Sequence, residues 1–215
     1  MSETSRLEAF SDGVMAIAIT LLVLDLAVPT QKELVSGKES LGHALAAQWP
    51  NYAAYVVSFL VIGIIWMNHH TLFGLIDRVD RWVLFANLLL LLVVSAIPFP
   101  TRLMAEYLTS GGSSAHLAAA VYSATMLAMA VAFTALYVTA TRRSDMLRKN
   151  VDAVAVRRSA PRFGAGVAAY AVTVGLAFVS APATLLVHFG LAVYYMFDQT
   201  GARHPDAPQA DPAGG

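Results

Sequence analysis

The 215-residue chain contains no cysteine, which excludes disulfides, thiolate metal sites and redox dithiols. Charge is scarce too. Asp, Glu, Lys and Arg make up 13% of the residues, against roughly 25% in soluble domains. With 57% of residues hydrophobic, there is too little polar surface to cover a water-soluble globule. The net charge is zero and says nothing about partners by itself; nothing in the sequence calls for a nucleic acid. A cleavable signal is not expected, because the stretch before the first apolar run is short and Asp12 interrupts that run. There is no internal repeat, no nucleophile–base pair and no metal triad, so neither an enzyme nor a cofactor is expected.

What the chain does have is long runs without Asp, Glu, Lys or Arg. These are Trp49–Met67, Trp82–Thr101 and Leu117–Thr141, each close to the ~20 residues that one membrane crossing needs. A further run from Phe163 continues past His188 to Phe197, too long for one crossing at about 1.5 Å per residue. Ser180-Ala181-Pro182 near its middle predicts a turn and two short crossings. With the opening segment from Arg6 to Asp25, the expectation is an all-α integral membrane protein of six spans. Residues 1–200 form the membrane domain, and the Pro- and Gly-rich residues 201–215 form a disordered cytoplasmic tail.

Six spans put both termini on one side. That side carries Arg6, Arg78, Arg81, Arg142, Arg143, Arg148, Lys149, Arg157, Arg158, Arg162 and Arg203; the other carries only Lys32, Lys38 and Arg102. The excess of basic residues marks the cytoplasmic side, so both termini are expected there. Ser5-Arg6-Leu7-Glu8 reads as a capping box with Ser5 as N-cap. Thr30–Gln48 reads as an outward-facing polar loop, and residues 142–162 as a basic cytoplasmic segment that sets topology and meets anionic headgroups of membrane lipids.

The first span carries Ser11 and Asp12 in its cytoplasmic half. A mid-helix Asp costs roughly 2.5–3.5 kcal/mol on insertion scales, so it needs a partner or water. Asn68, His69 and His70 fall at a similar depth in the second span, and Asn87 in the third. Polar groups at one depth in lipid satisfy one another. The expectation is a structural network joining the first three spans, with Asp12 as acceptor and His69 or His70 and Asn68 as donors; Arg6, at the cytoplasmic end, is grouped with it. Adjacent histidines on a helix point about 100° apart, so only one of the two joins a given network easily.

At about 100° per residue, Phe10, Gly13, Ile17, Leu21, Leu24 and Val28 form one apolar stripe on the first helix, with Thr20 at its edge. Asp12 points away from Ile17. On periodicity alone the stripe is ordinary packing or lipid contact. The chain has no Thr-Val-Gly-Tyr-Gly loop, so the usual carbonyl-lined filter built on that loop is excluded.

Arg6-x-x-x-Phe10-Ser11-Asp12, followed by Ala16-Ile17-Ala18-Ile19-Thr20-Leu21-Leu22, resembles the signature of the transmembrane protein 175 family of potassium channels. Trp66-Met67-Asn68-His69-His70 is similar to that family's second span. The resemblance covers about the first 100 residues; beyond them only the hydropathy is alike. It implies a homotetramer of the prokaryotic single-repeat type, with four first helices around a central pore. It implies passive conduction of potassium and other monovalent cations through an inner or plasma membrane. By position it makes Ile17 the apolar constriction, with Leu21 and Leu24 following, and Thr20 a layer tied to selectivity. The alternative is a proton-coupled or proton-conducting transporter using Asp12 and His69 or His70.

Overall fold

The computed structural model describes residues 3–37 and 40–196, all of the regular structure there being helical. Helix α1 spans Glu3–Leu21 and runs on through a 3-10 turn, Leu22–Asp25. Ser5 therefore lies inside α1 and is not its N-cap. The expected outer loop holds two short helices, α2 (Gln31–Gly37) and α3 (Leu41–Ala47). Helix α4 (Trp49–Leu75) starts with Pro50 in its first turn, where a missing N–H costs nothing.

Asp80 caps α5 (Arg81–Ala96), its carboxylate accepting from the backbone N–H of Trp82 and of Val83, each at 2.9 Å. Pro98 then opens α6 (Pro98–Tyr107), which prolongs the same apolar stretch beyond the expected end at Thr101. Gly111 and Gly112, with φ of 69° and 63°, make the left-handed turn into α7 (Gly112–Thr141). Asp152 caps α8 (Ala153–Leu176) and Ser180 caps α9 (Ala181–Tyr195), so the predicted turn at Ser180 is the break between them.

Among the described residues four stretches are long and apolar enough to cross a membrane: Glu3–Asp25, Trp49–Leu75, Arg81–Tyr107 and Gly112–Thr141. Helix α8 starts earlier than the charge-free run and carries Arg157, Arg158 and Arg162 in its first part, while α9 is a shorter apolar helix of 15 residues. Residues 201–215, expected to form a tail, lie outside the described residues.

Helix α7 packs against α5, α6, α8 and α9, and α1 packs against α4 and α5. The core between them is built from buried side chains such as Leu22, Ile62, Leu72, Leu90, Met126 and Leu136. One end of the bundle is stitched together by polar contacts. Arg148 N donates to Leu75 O at 2.9 Å and Asp77 N to Met146 O at 2.8 Å, while Thr4 Oγ1 donates to Asp77 O at 3.1 Å. The start of α1, the end of α4 and the α7–α8 connection thus share one end, and the basic residues of 142–158 gather there.

Candidate functional site

Helix α1 has two faces of opposite character. One is packed: Met15, Ala18 and Leu22 are buried against the bundle. Ser11 sits on this side, fully buried together with His69 of α4 and Asn87 of α5. Three side chains from three helices form one chain of hydrogen bonds. His69 Nε2 lies 2.8 Å from Asn87 Oδ1, Asn87 Nδ2 donates to Ser11 Oγ at 2.9 Å, and Ser11 Oγ donates to Leu7 O at 2.9 Å. The roles are mutually consistent only if His69 carries its proton on Nε2. His69 also stacks on Phe73, with ring centroids 4.3 Å apart.

Asp12 is not part of that chain. Its Oδ1 accepts from Trp66 Nε1 at 2.9 Å. One turn away, Glu8 Oε1 lies 2.8 Å from His70 Nδ1, and Trp66 and His70 are stacked, centroids 6.1 Å apart. Glu8 and Asp12 are spaced i, i+4 on α1, as are Trp66 and His70 on α4, so two helical faces meet as a second, more exposed ladder.

Three expectations therefore need correction. Neither histidine is the donor to Asp12; the indole of Trp66 is. Asn68 turns its amide back to Ile64 O at 3.0 Å, a bond within its own helix. Arg6 is exposed and joins none of the described ion pairs. The remaining polar residues do bind α1 to α4 and α5 at one depth. Adjacent His69 and His70 serve different ladders because their side chains diverge by about 100°.

The other face of α1 has no partner among the described residues. Phe10, Ile17, Leu21, Leu24 and Val28 are exposed, Ile17 at 61% and Leu24 at 75%. Thr20 is exposed beside them, and its Oγ1 donates to Ile17 O at 2.8 Å. With its proton committed to the backbone, the Thr20 oxygen can offer only lone pairs outward. At the far end, Asp25 Oδ1 lies 4.0 Å from Arg102 Nε. Among the described residues no cluster of three or more His, Asp or Glu is placed to hold a metal ion.

A second buried polar group goes beyond the sequence expectations. Ser58 Oγ lies 2.7 Å from Thr101 Oγ1 and 3.0 Å from Tyr122 Oη, linking α4, α6 and α7. His188 packs edge-on to Tyr122, and its Nδ1 contacts Thr184 O at 2.8 Å. The signal in the sequence is hydroxyls and an imidazole within charge-free runs, where each must find a partner.

The residues of the α1 ladders lie within residues 6–98, the part that matches a family model described as the endosomal/lysosomal potassium channel TMEM175. A Streptomyces collinus protein named as a potassium channel is 57% identical over 199 residues, covering 93% of this chain and 94% of that protein. The chain belongs to the TMEM175 family. A second relative named as a potassium channel, from Chamaesiphon minutus, is 41% identical over 90% of this chain and 94% of its own length. The crystal structure of a lysosomal potassium-selective channel TMEM175 homolog from Chamaesiphon minutus superposes with a TM-score of 0.79 at 40% identity, covering 91% of this chain and 97% of that one. Human TMEM175, named as an endosomal/lysosomal proton channel, is 42% identical over 99 residues, 43% of this chain and 19% of its own length. TMEM175 is an ion-channel family, not a class of enzyme.

Proposed function

We propose that this chain is a potassium-permeable cation channel whose conduction path is lined by the exposed face of α1 from four copies. The observation that carries the reading is the division of α1. Its polar groups are spent on α4 and α5, which leaves a line of Ile17, Leu21 and Leu24 exposed among the described residues. A contiguous apolar face of this kind marks a surface met by another protein or by a pore. The relatives named as potassium channels favour the pore.

In the tetramer four Ile17 side chains form a narrow apolar ring. Such a ring conducts only when wetted, so it selects against ions that hold their water firmly and can close by dewetting. The four Thr20 oxygens stand one turn beyond, presenting lone pairs to a cation that has lost part of its shell. Asp12 and Ser11 do not touch the ion; they hold the helix from behind. Helices α8 and α9 complete six spans, with both termini in the cytoplasm and the chain in the inner or plasma membrane. Arg157, Arg158 and Arg162 sit where long basic side chains reach the cytoplasmic surface.

The test is ion flux from reconstituted vesicles under a potassium gradient, with sodium and proton substitution, for wild type and Ile17→Asn. The proposal expects passive potassium flux in wild type and weaker discrimination in the variant. Unchanged flux and ion preference in Ile17→Asn removes Ile17 as the constriction. Obligatory coupling to protons in wild type replaces the channel by a carrier.

A further inference from the structure

A narrow cleft of about 50 Å³ lies between α4, α7, α8 and α9, away from α1, and opens at the bundle surface. Its walls are mostly apolar, with Val61, Ile64, Phe133 and Phe163 beside the polar Asn68 and Thr134, and among the described residues no charged side chain lines it. Tyr195 closes part of the rim. Its ring lies directly over Gly166, where a Cβ would collide with the phenol, and its Oη donates to Arg162 O at 3.3 Å.

Helix α8 leads out of the cleft into a basic hollow lined by Asp152, Arg158, Ser159 and Arg162. Asp152 is already used, its Oδ1 accepting from Val154 N and Ala155 N. Arg157 is used too, donating to Thr141 O and Arg142 O. Arg158 and Arg162 are exposed, lie one turn apart on one face, and join none of the described ion pairs. Gly166 and Tyr170 continue that face at the next two turns into the cleft. The 12-residue separation of Arg158 and Tyr170 is about 18 Å at 1.5 Å per residue, close to the ~15 Å of one hydrocarbon leaflet.

We propose that this surface binds one anionic phospholipid of the cytoplasmic leaflet. Its phosphate is held by Arg158 and Arg162 and one acyl chain lies along the open mouth of the cleft. The lipid is identified by two features on one helix face, an apolar cleft with no charged residue in its lining and two exposed guanidiniums on the turns of α8 that precede it. Guanidinium forks match phosphate oxygens, and basic pockets between membrane helices on the cytoplasmic side recognise anionic headgroups. The inference takes the membrane placement of α8 from the topology proposed above. Its readout is lipid retention rather than ion flux, so the two proposals fail separately.

The experiment purifies the full chain from nanodiscs containing equal amounts of phosphatidylglycerol and phosphatidylcholine and counts co-purified lipids by native mass spectrometry. Wild type is expected to retain phosphatidylglycerol preferentially. The Arg158→Gln/Arg162→Gln variant should lower that retention about tenfold or more, as expected for two cationic contacts. Ala130→Phe, which fills the cleft wall and leaves both arginines in place, should lower it as well; Thr134→Leu fills the same wall if Ala130→Phe does not assemble. Equal retention of both lipids by wild type overturns the proposal. So does preference that survives loss of both arginines, or retention that survives filling of the cleft.

Discussion

Trp66 Nε1 donates to Asp12 Oδ1 at 2.9 Å, which ties the carboxylate of α1 to the indole of α4 and turns it away from the exposed face that holds Ile17. The bond explains how a costly Asp is tolerated within a membrane helix. In the proposed channel this assigns Asp12 to assembly rather than to conduction. Asp12→Ala should lower the yield of assembled oligomer, read by size-exclusion chromatography, while the oligomer that does form keeps wild-type ion preference. Trp66→Phe should act in the same direction, and the double variant should be less than additive because the two side chains share one interaction. A fully assembled Asp12→Ala channel with altered ion preference contradicts this role.

The two ladders behind α1 should differ in weight. Asn87 is fully buried and satisfies both His69 and Ser11, so Asn87→Leu strands a buried imidazole N–H. The expected cost is ~1–3 kcal/mol. The Glu8–His70 pair lies at the surface, with the His70 side chain 66% exposed, and exposed pairs contribute ~0–1 kcal/mol. Thermal unfolding of the detergent-solubilised oligomer should therefore rank Asn87→Leu well below His70→Gln. Equal melting temperatures for the two variants would refute the ranking.

This hierarchy is only partly legible in the sequence. Depth along each span is set by counting residues, so Ser11, Asn87 and His69 fall in one layer before any partner is known. Partners depend on helix rotation and on which side chains can reach, and there the sequence expectation fails. Trp66 sits at the end of an apolar run, although its indole N–H is as able a donor as an imidazole. Asn68 is expected to reach across, but a nearby carbonyl on its own helix offers a shorter route. The long spans are plain because charge-free runs of such length suit a membrane crossing and little else. Helix α8 is not, since its basic first turns mask the helix that begins at Ala153. The Ser58–Thr101–Tyr122 group escapes notice because single hydroxyls hardly change the hydropathy of a run.

Thr20→Val tests the second layer of the exposed face. Valine keeps the shape but removes the oxygen whose proton is committed to Ile17 O. If that oxygen meets the permeating ion, the variant should conduct with reduced preference for potassium over sodium, seen as a reversal potential closer to zero under bi-ionic conditions. Thr20→Ser should retain most of the preference. Identical reversal potentials for wild type and Thr20→Val would mean that the hydroxyl does not face the ion.

Asp25 and Arg102 face each other at the far end of α1. The pair is 4.0 Å apart and the Arg102 side chain is 77% exposed, so its value to stability is at most ~1 kcal/mol. Its value to conduction is larger in principle, because Asp25 follows Leu24 at the end of the exposed face. Arg102→Gln leaves the carboxylate uncompensated, which raises the local cation concentration. Asp25→Asn does the reverse and leaves a lone guanidinium that repels cations. Both effects act through solvent and are screened over a Debye length of ~10 Å at 0.1 M salt and ~3 Å at 1 M. Single-channel conductance should therefore rise in Arg102→Gln and fall in Asp25→Asn at low potassium, and both should converge on wild type at high potassium. Conductance changes that persist at high salt would instead indicate an altered pore geometry, and no change at low salt would place Asp25 away from the ion path.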